Sequence, residues 1–408
     1  MDPQNAQNKV ELDNNQSIVK PIPVVETNKL RVFLKKYKFV LILGVFVFLA
    51  GASALIYIYL PKYMASREIA ERTYVPSPTD SRPTSLPVVT NNQELGEIPN
   101  VKVLDSNYHV FQTFNNCGPA SLSMVLRYFG IEKSQGEIGN DLRPYQIASG
   151  DNDDKSVSLE ELAQKAEEFG LLAYHRPAGN MDILKHFIAN DMPVITRTWV
   201  AADDDVGHYR VVKGYDENQG VLIQDDSLQG KNLTYTYDEF NVIWKKFNYE
   251  FVVIVPKEKQ SVAETILGPK LDEGYAWQEA VEMSRGQLAE NPNDVTARFN
   301  LVVALYNTGD LEGTVNEFEK IENDLSFRTL WYQIEPIKAY FELGNYDRVF
   351  AITDKILNGG NRAFSELYII RGDIYKSQGN IDAARTEYEK AVQYNVNLEE
   401  AKEKLNSL

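Results

Sequence analysis

A single cysteine in 408 residues leaves no partner for an intramolecular disulfide, so the fold must hold without that staple. Basic residues are the minority: 42 Lys and Arg against 58 Asp and Glu give a formal charge of -16, which argues against nucleic acid and anionic lipid as partners. No GxxxxGK[ST] loop occurs, which excludes a Walker-type ATPase. Acidic clusters stand at Asp151 to Asp154 and Asp203 to Asp205. Counting a calcium loop from Asp151 puts Ser156 where glycine is needed and Leu162 where the bidentate glutamate belongs, so the loop signature fails. Neither metal nor cofactor is expected.

What is present centres on that one thiol. Cys117 stands in QTFNNCGPASLSMVLRYFG, a polar loop running into a helix with Leu122, Val125, Leu126 and Phe129 at helical spacing. Asn115 and Asn116 are candidate N-caps and Gly130 closes the segment. A cysteine at a helix start suits nucleophilic chemistry, because the exposed first-turn N–H groups favour the thiolate that attacks a carbonyl. Gln112, five positions upstream, offers a side-chain amide to a developing oxyanion alongside the Cys117 N–H.

A thiol nucleophile needs a base, and there are four histidines: His109, His175, His186 and His208. His186 lies in the helical run NMDILKHFIAN and His175 in the strand-like LLAYHRP, where structural roles suit them; His109 lies close to Gln112. His208 opens GHYRVVKGYD, a loop glycine followed by a strand with alternating apolar positions. After a DENQG turn the strand VLIQDD ends at Asp225, and antiparallel pairing would set a carboxylate beside the imidazole to orient it. Asp203 to Asp205, just before His208, would raise its pKa.

From about Val101 to Pro256 these motifs resemble the papain-like cysteine peptidases of the bacteriocin-processing, double-glycine-leader type, in stand-alone form. The resemblance rests on Gln112 before NNCGPAS, on GHYRVVKGYD, and on the IQD strand end with a turn at Gly230. It implies Cys117 as nucleophile, His208 as general base, Asp225 as orienting acid and Gln112 as oxyanion residue. Asp226 stands where relatives usually carry proline, which leaves both Asp225 and Asp226 as candidates to face the histidine. Leader processing coupled to export is not implied, since the chain has no ATPase motif.

Residues 39–60, FVLILGVFVFLAGASALIYIYL, carry no charge, and about 20 apolar residues suffice to cross a bilayer core as a helix. Lys29, Arg31, Lys35, Lys36 and Lys38 precede the run, which places the N-terminus inside and the rest outside the cytoplasm. A cleaved signal peptide is the rival, but the apolar run continues through LIYIYL past the small residues of AGASA. Residues 1–38 read as a disordered cytoplasmic tail, and 61–100, with Pro76, Pro78, Pro83, Pro87 and Pro99, as an extended linker.

Past Pro256 the pattern turns to repeats. Gly309, Gly344 and Gly379 recur in TGD, LGN and QGN, preceded four positions earlier by Leu305, Tyr340 and Tyr375. Ala384, Tyr388 and Ala391 continue the third unit, and a helix over about 275–290 caps the array. The spacing resembles the tetratricopeptide repeat. The whole reads as a transmembrane helix, an α+β papain-like peptidase domain over 101–258 and an all-α tetratricopeptide-like solenoid over 272–408. Strands are expected near 172–177, 193–200, 208–215, 221–225 and 249–256, with a helix near 237–247. The expected function is a bacterial-type, membrane-anchored cysteine peptidase acting on peptide or protein outside the cytoplasm, with the repeats recruiting substrate or a protein partner. A non-catalytic peptide-binding scaffold, or an acyltransferase or amidase using the same residues, are the alternatives.

Overall fold

The computed structural model describes residues 36, 72–74, 98–145 and 157–408. The chain divides into two compact units, Met1–Arg67 and Glu68–Leu408, and in the first only Lys36 is among the described residues. The expected tail apart from Lys36, the apolar run 39–60, the cluster Asp151 to Asp154 and nearly all of the linker lie outside the described residues. Among the described residues no helix is long and apolar enough to cross a membrane.

The second unit begins with β1 (Val101–Val103), α1 (Cys117–Tyr128), α2 (Gln135–Leu142), α3 (Leu159–Glu168), β2 (Leu172–Arg176) and α4 (Met181–Ala189). Then come β3 (Val194–Trp199), β4 (Gly207–Asp216), β5 (Val221–Asp226), β6 (Gly230–Thr236), α5 (Tyr237–Trp244) and β7 (Phe251–Val255). The strands form one antiparallel sheet in the order β2-β7-β3-β4-β5-β6, with β1 paired to the far end of β4. Runs such as FVVIV in β7 are apolar throughout because both faces are covered, and successive side chains leave the strand on opposite sides. Thus Ile195, Tyr209, Val211, Val252 and Ile254 pack with Cys117, Leu122 and Val125 under α1 and α3. Val194, Val212, Phe251 and Val253 pack with Phe187, Phe240 and Trp244 of α4 and α5. Fully burying one such side chain is worth about 1.5–3 kcal/mol, so this two-sided packing fixes the strand register.

Two strands escaped the pattern reading, β1 and β6, the latter because Gly230 reads as a turn rather than a strand start. The linker also behaves differently from expectation at one point: Arg72–Tyr74 dock on β6. Thr73 bridges Leu233, Tyr74 N–H donates to the Asn232 carbonyl at 2.7 Å, and Arg72 lies over the Tyr235 ring at 4.2 Å. The physical reason is that β6 is an edge strand with unpaired backbone groups that an extended segment can satisfy.

After β7, helix α6 (Gln260–Leu267) returns to the sheet, with Ala263 and Leu267 in the same cluster as Trp244. The helical array follows: α7 (Glu273–Glu290), α8 (Val295–Asn307), α9 (Leu311–Glu319), α10 (Thr329–Tyr332), α11 (Glu335–Glu342) and α12 (Tyr346–Asn358). It ends in α13 (Ser365–Ser377), α14 (Ile381–Tyr394) and α15 (Glu399–Asn406). Gly309, Gly344 and Gly379 adopt φ of 84°, 74° and 76° at the turn between paired helices, a left-handed conformation that explains their spacing. The array docks on the sheet domain through Lys245–Asp294 at 2.6 Å and the buried Asn248–Asn300 pair.

Candidate active site

Cys117 is the first residue of α1 and is buried, 5% exposed. The preceding loop turns through Asn115 at φ 55°. Asn116 occupies the N-cap position without a side-chain cap bond; its Nδ2 donates instead to Thr113 Oγ1 at 2.7 Å. The first-turn N–H groups are therefore not consumed by a capping side chain and remain directed at the end where the sulfur sits. Directly behind the nucleophile Gly118 is required by space, since a Cβ there would stand 2.3 Å from Val157 Cγ2.

His208 comes from the start of β4, 2% exposed, with the Cys117 thiol among the groups that raise its pKa. Its Nε2 bonds Asp226 Oδ1 at 2.8 Å, which leaves Nδ1 as the ring nitrogen for Cys117. Burial pushes the His208 pKa down, but the Asp226 carboxylate and the thiol outweigh it and lift it to about 9. Burial likewise raises Asp226, yet His208 and Arg210 outweigh it and hold the carboxyl well below the usual range. Asp226 Oδ1 also accepts the Leu228 and Gln229 N–H groups at 2.7 and 2.9 Å, and Arg210 Nε lies 3.1 Å from Oδ2 as an ion pair without hydrogen-bond alignment.

The aspartate expected from the family pattern, Asp225, does not face the histidine. Arg210 and Asp226 are cross-strand partners, and His208 lies two residues from Arg210 on the same strand. Asp225 is paired in register with Val211 and turns to the other face, where Lys213 Nζ binds its Oδ2 at 2.8 Å. Period-two alternation thus makes Asp226 the histidine's partner.

Gln112 is tethered to the residue after that aspartate: its N–H donates to the Ser227 carbonyl at 2.7 Å and its Oε1 accepts the Ser227 hydroxyl at 2.9 Å. With Oε1 engaged, Nε2 is the end that can donate to a reacting carbonyl. His109 lies close by but bonds the Asp226 backbone carbonyl through Nε2 at 2.9 Å, and His175 bonds Glu250 at 3.2 Å. His186 sits in the last turn of α4. Asp205 is not a partner of His208; it takes Arg328 Nη1 at 2.5 Å and the Arg328 N–H at 3.1 Å.

Sequence reasoning missed Arg210, Ser227 and the contribution of the helical array. Arg210 carried a usable signal, the alternation of GHYR. Tyr332 of α10 carried none. Its ring lies against Gly207, where a Cβ would meet ring carbons at 3.1–3.2 Å, and its phenol hydrogen-bonds the Gly207 backbone. Burial raises its pKa to about 12, despite that bond, with the negative charge of Cys117 adding to the rise. The array therefore reaches the residue next to the histidine.

Residues 92–252 match the model of the Peptidase_C39 like family, and residues 365–395 match a tetratricopeptide repeat. No curated protein matches the chain. Solved structures similar to it include a putative C39-like peptidase from Bacillus anthracis, 18% identical, covering 38% of this chain and 98% of that one with a TM-score of 0.33. The peptidase domain of Streptococcus ComA, a bifunctional ABC transporter involved in a quorum-sensing pathway, is 20% identical over 36% of this chain and 97% of that one, TM-score 0.28. Xylellain, a cysteine protease from Xylella fastidiosa, is 13% identical over 45% of this chain and 95% of that one, TM-score 0.31.

Proposed function

For a chain that carries a C39-like peptidase domain and a C-terminal tetratricopeptide repeat, we propose a membrane-anchored cysteine peptidase working through Cys117, His208, Asp226 and Gln112. The observation that carries it is the buried His208–Asp226 pair at 2.8 Å, with the Cys117 thiol acting on the same imidazole. His208 takes the Cys117 proton; the thiolate attacks the peptide carbonyl; the Cys117 N–H and Gln112 Nε2 receive the oxyanion. The imidazolium then protonates the leaving amine as the C–N bond breaks and a thioester forms. Water, deprotonated by His208, hydrolyses that thioester to the carboxylic acid and returns the thiol.

The anchor is the run 39–60, and the expected outcome of its orientation is a catalytic domain outside the cytoplasm. The repeats recruit the peptide substrate or a protein partner.

Cys117 is the sole thiol, so alkylation reports on it alone. Iodoacetamide should label the wild type faster than a free cysteine peptide and lose that advantage in His208→Ala. Peptide cleavage should vanish in Cys117→Ala. Ordinary labelling unaffected by His208→Ala, with no peptide cleaved, overturns the reading.

A further inference from the structure

A cavity of about 220 Å³ opens between the sheet domain and the helical array, walled by Trp199, Lys246 and Phe247 on one side and Phe299, Tyr332 and Gln333 on the other. Two of its walls meet the residue before His208. Trp199 is the cross-strand partner of Gly207, the residue before His208, and the Tyr332 ring lies on Gly207. Its size is informative: a cavity of about 150 Å³ holds benzene, whereas pockets for whole drug-sized ligands start at about 300 Å³, so this one matches a single large side chain. Aromatic rings form part of its lining beside polar residues such as Asp324 and Ser326, with the Phe247 and Tyr332 rings 6.0 Å apart and Lys246 Nζ over the Trp199 ring at 4.3 Å. Gln333, 3% exposed, is also part of the lining.

We propose that this cavity is the side-chain pocket next to the scissile bond, that it selects a large apolar or aromatic residue, and that the helical array builds half of it. The proposal rests on the peptidase reading above. The array is then a wall of the active site and a determinant of specificity as well as a recruiting module.

The test fills the cavity from the array side. Thr329→Phe and Val295→Phe each place a ring in the lining without touching Cys117, His208, Asp226 or Gln112. Cleavage of a mixed peptide library by the full chain should favour large apolar side chains at one position flanking the cut. In either filled variant kcat/KM for those peptides should fall about tenfold or more while that for small side chains is kept. An unchanged preference in both variants, with alkylation of Cys117 intact, overturns the pocket and leaves the peptidase reading standing. Binding in the Cys117→Ala chain separates the two ideas further. N-acetyl-phenylalanine amide, followed by NMR, should bind there and lose binding in Thr329→Phe even if no library peptide is ever cut. Absence of that binding in the unfilled chain also overturns the pocket.

Discussion

Asp226 Oδ1 stands 2.8 Å from His208 Nε2, while Asp225, one residue earlier, is held by Lys213 on the opposite face of the same strand. The two adjacent carboxylates have separate jobs, and their substitutions should separate as well. Asp226→Asn keeps the shape but removes the charge that stabilises the imidazolium, so kcat should fall on the order of 10²- to 10⁴-fold. Asp225→Asn leaves the Lys213 ammonium buried without its counter-charge, which costs about 3–5 kcal/mol of stability while folded enzyme keeps its kcat. Urea denaturation and active-site-titrated kinetics distinguish the two; equal kinetic losses would contradict the assignment.

The histidine sets a pH signature. Its folded pKa is raised from 6.5 to about 9, so the protonated form adds stability that is complete below 6.5 and disappears as pH rises through 9. Catalysis that uses the imidazolium to protonate the leaving amine should lose kcat/KM along the same alkaline limb. In Asp226→Asn the limb should move to lower pH, because the largest raising influence is gone. A limb that stays in place would show that another group titrates there.

Local spacing made much of this legible. The α1 helix and the glycine turns of the repeats depend on residues within one or two turns of each other, and the backbone follows them. The choice between Asp225 and Asp226 depends on cross-strand register, which shifts at a bulge between Val212 and Gly214, and no local pattern encodes that shift. Tyr332 reaches Gly207 only because the helical array docks on the sheet domain, a tertiary fact invisible to periodicity. Edge-strand β6 hid behind its initial glycine for the related reason that a period-two signal over seven residues is short.

Gln112 can be tested apart from the nucleophile. Gln112→Ala removes the proposed oxyanion donor without altering the thiol or its histidine, so kcat should drop about 10²- to 10³-fold with the Cys117 alkylation rate unchanged. Ser227→Ala frees the Gln112 amide rather than deleting it and should cost less. Loss of alkylation in Gln112→Ala would assign the glutamine to holding the loop.

Behind the nucleophile, Gly118→Ala should destabilise the fold by about 1–3 kcal/mol, because its Cβ meets Val157 Cγ2 at 2.3 Å and Tyr209 Cδ2 at 3.3 Å. The double variant Gly118→Ala with Val157→Ala makes room and should recover part of the loss. A thermal melt that shows no coupling between the two substitutions would refute the close contact.

Tyr332→Phe probes how the helical array touches the histidine strand. The substitution keeps the ring against Gly207 and the cavity wall but removes the phenol oxygen, leaving the Gly207 N–H without its partner. A buried donor left unsatisfied costs about 1–3 kcal/mol, and here the cost falls on the residue that positions His208. Amide exchange at Gly207 should quicken, kcat should fall several-fold, and the alkaline limb near pH 9 should stay, since the partners of the imidazole are untouched. Were the array only a tether, this change would leave kcat and Gly207 exchange as they are in the wild type. That outcome would detach the repeats from the chemistry.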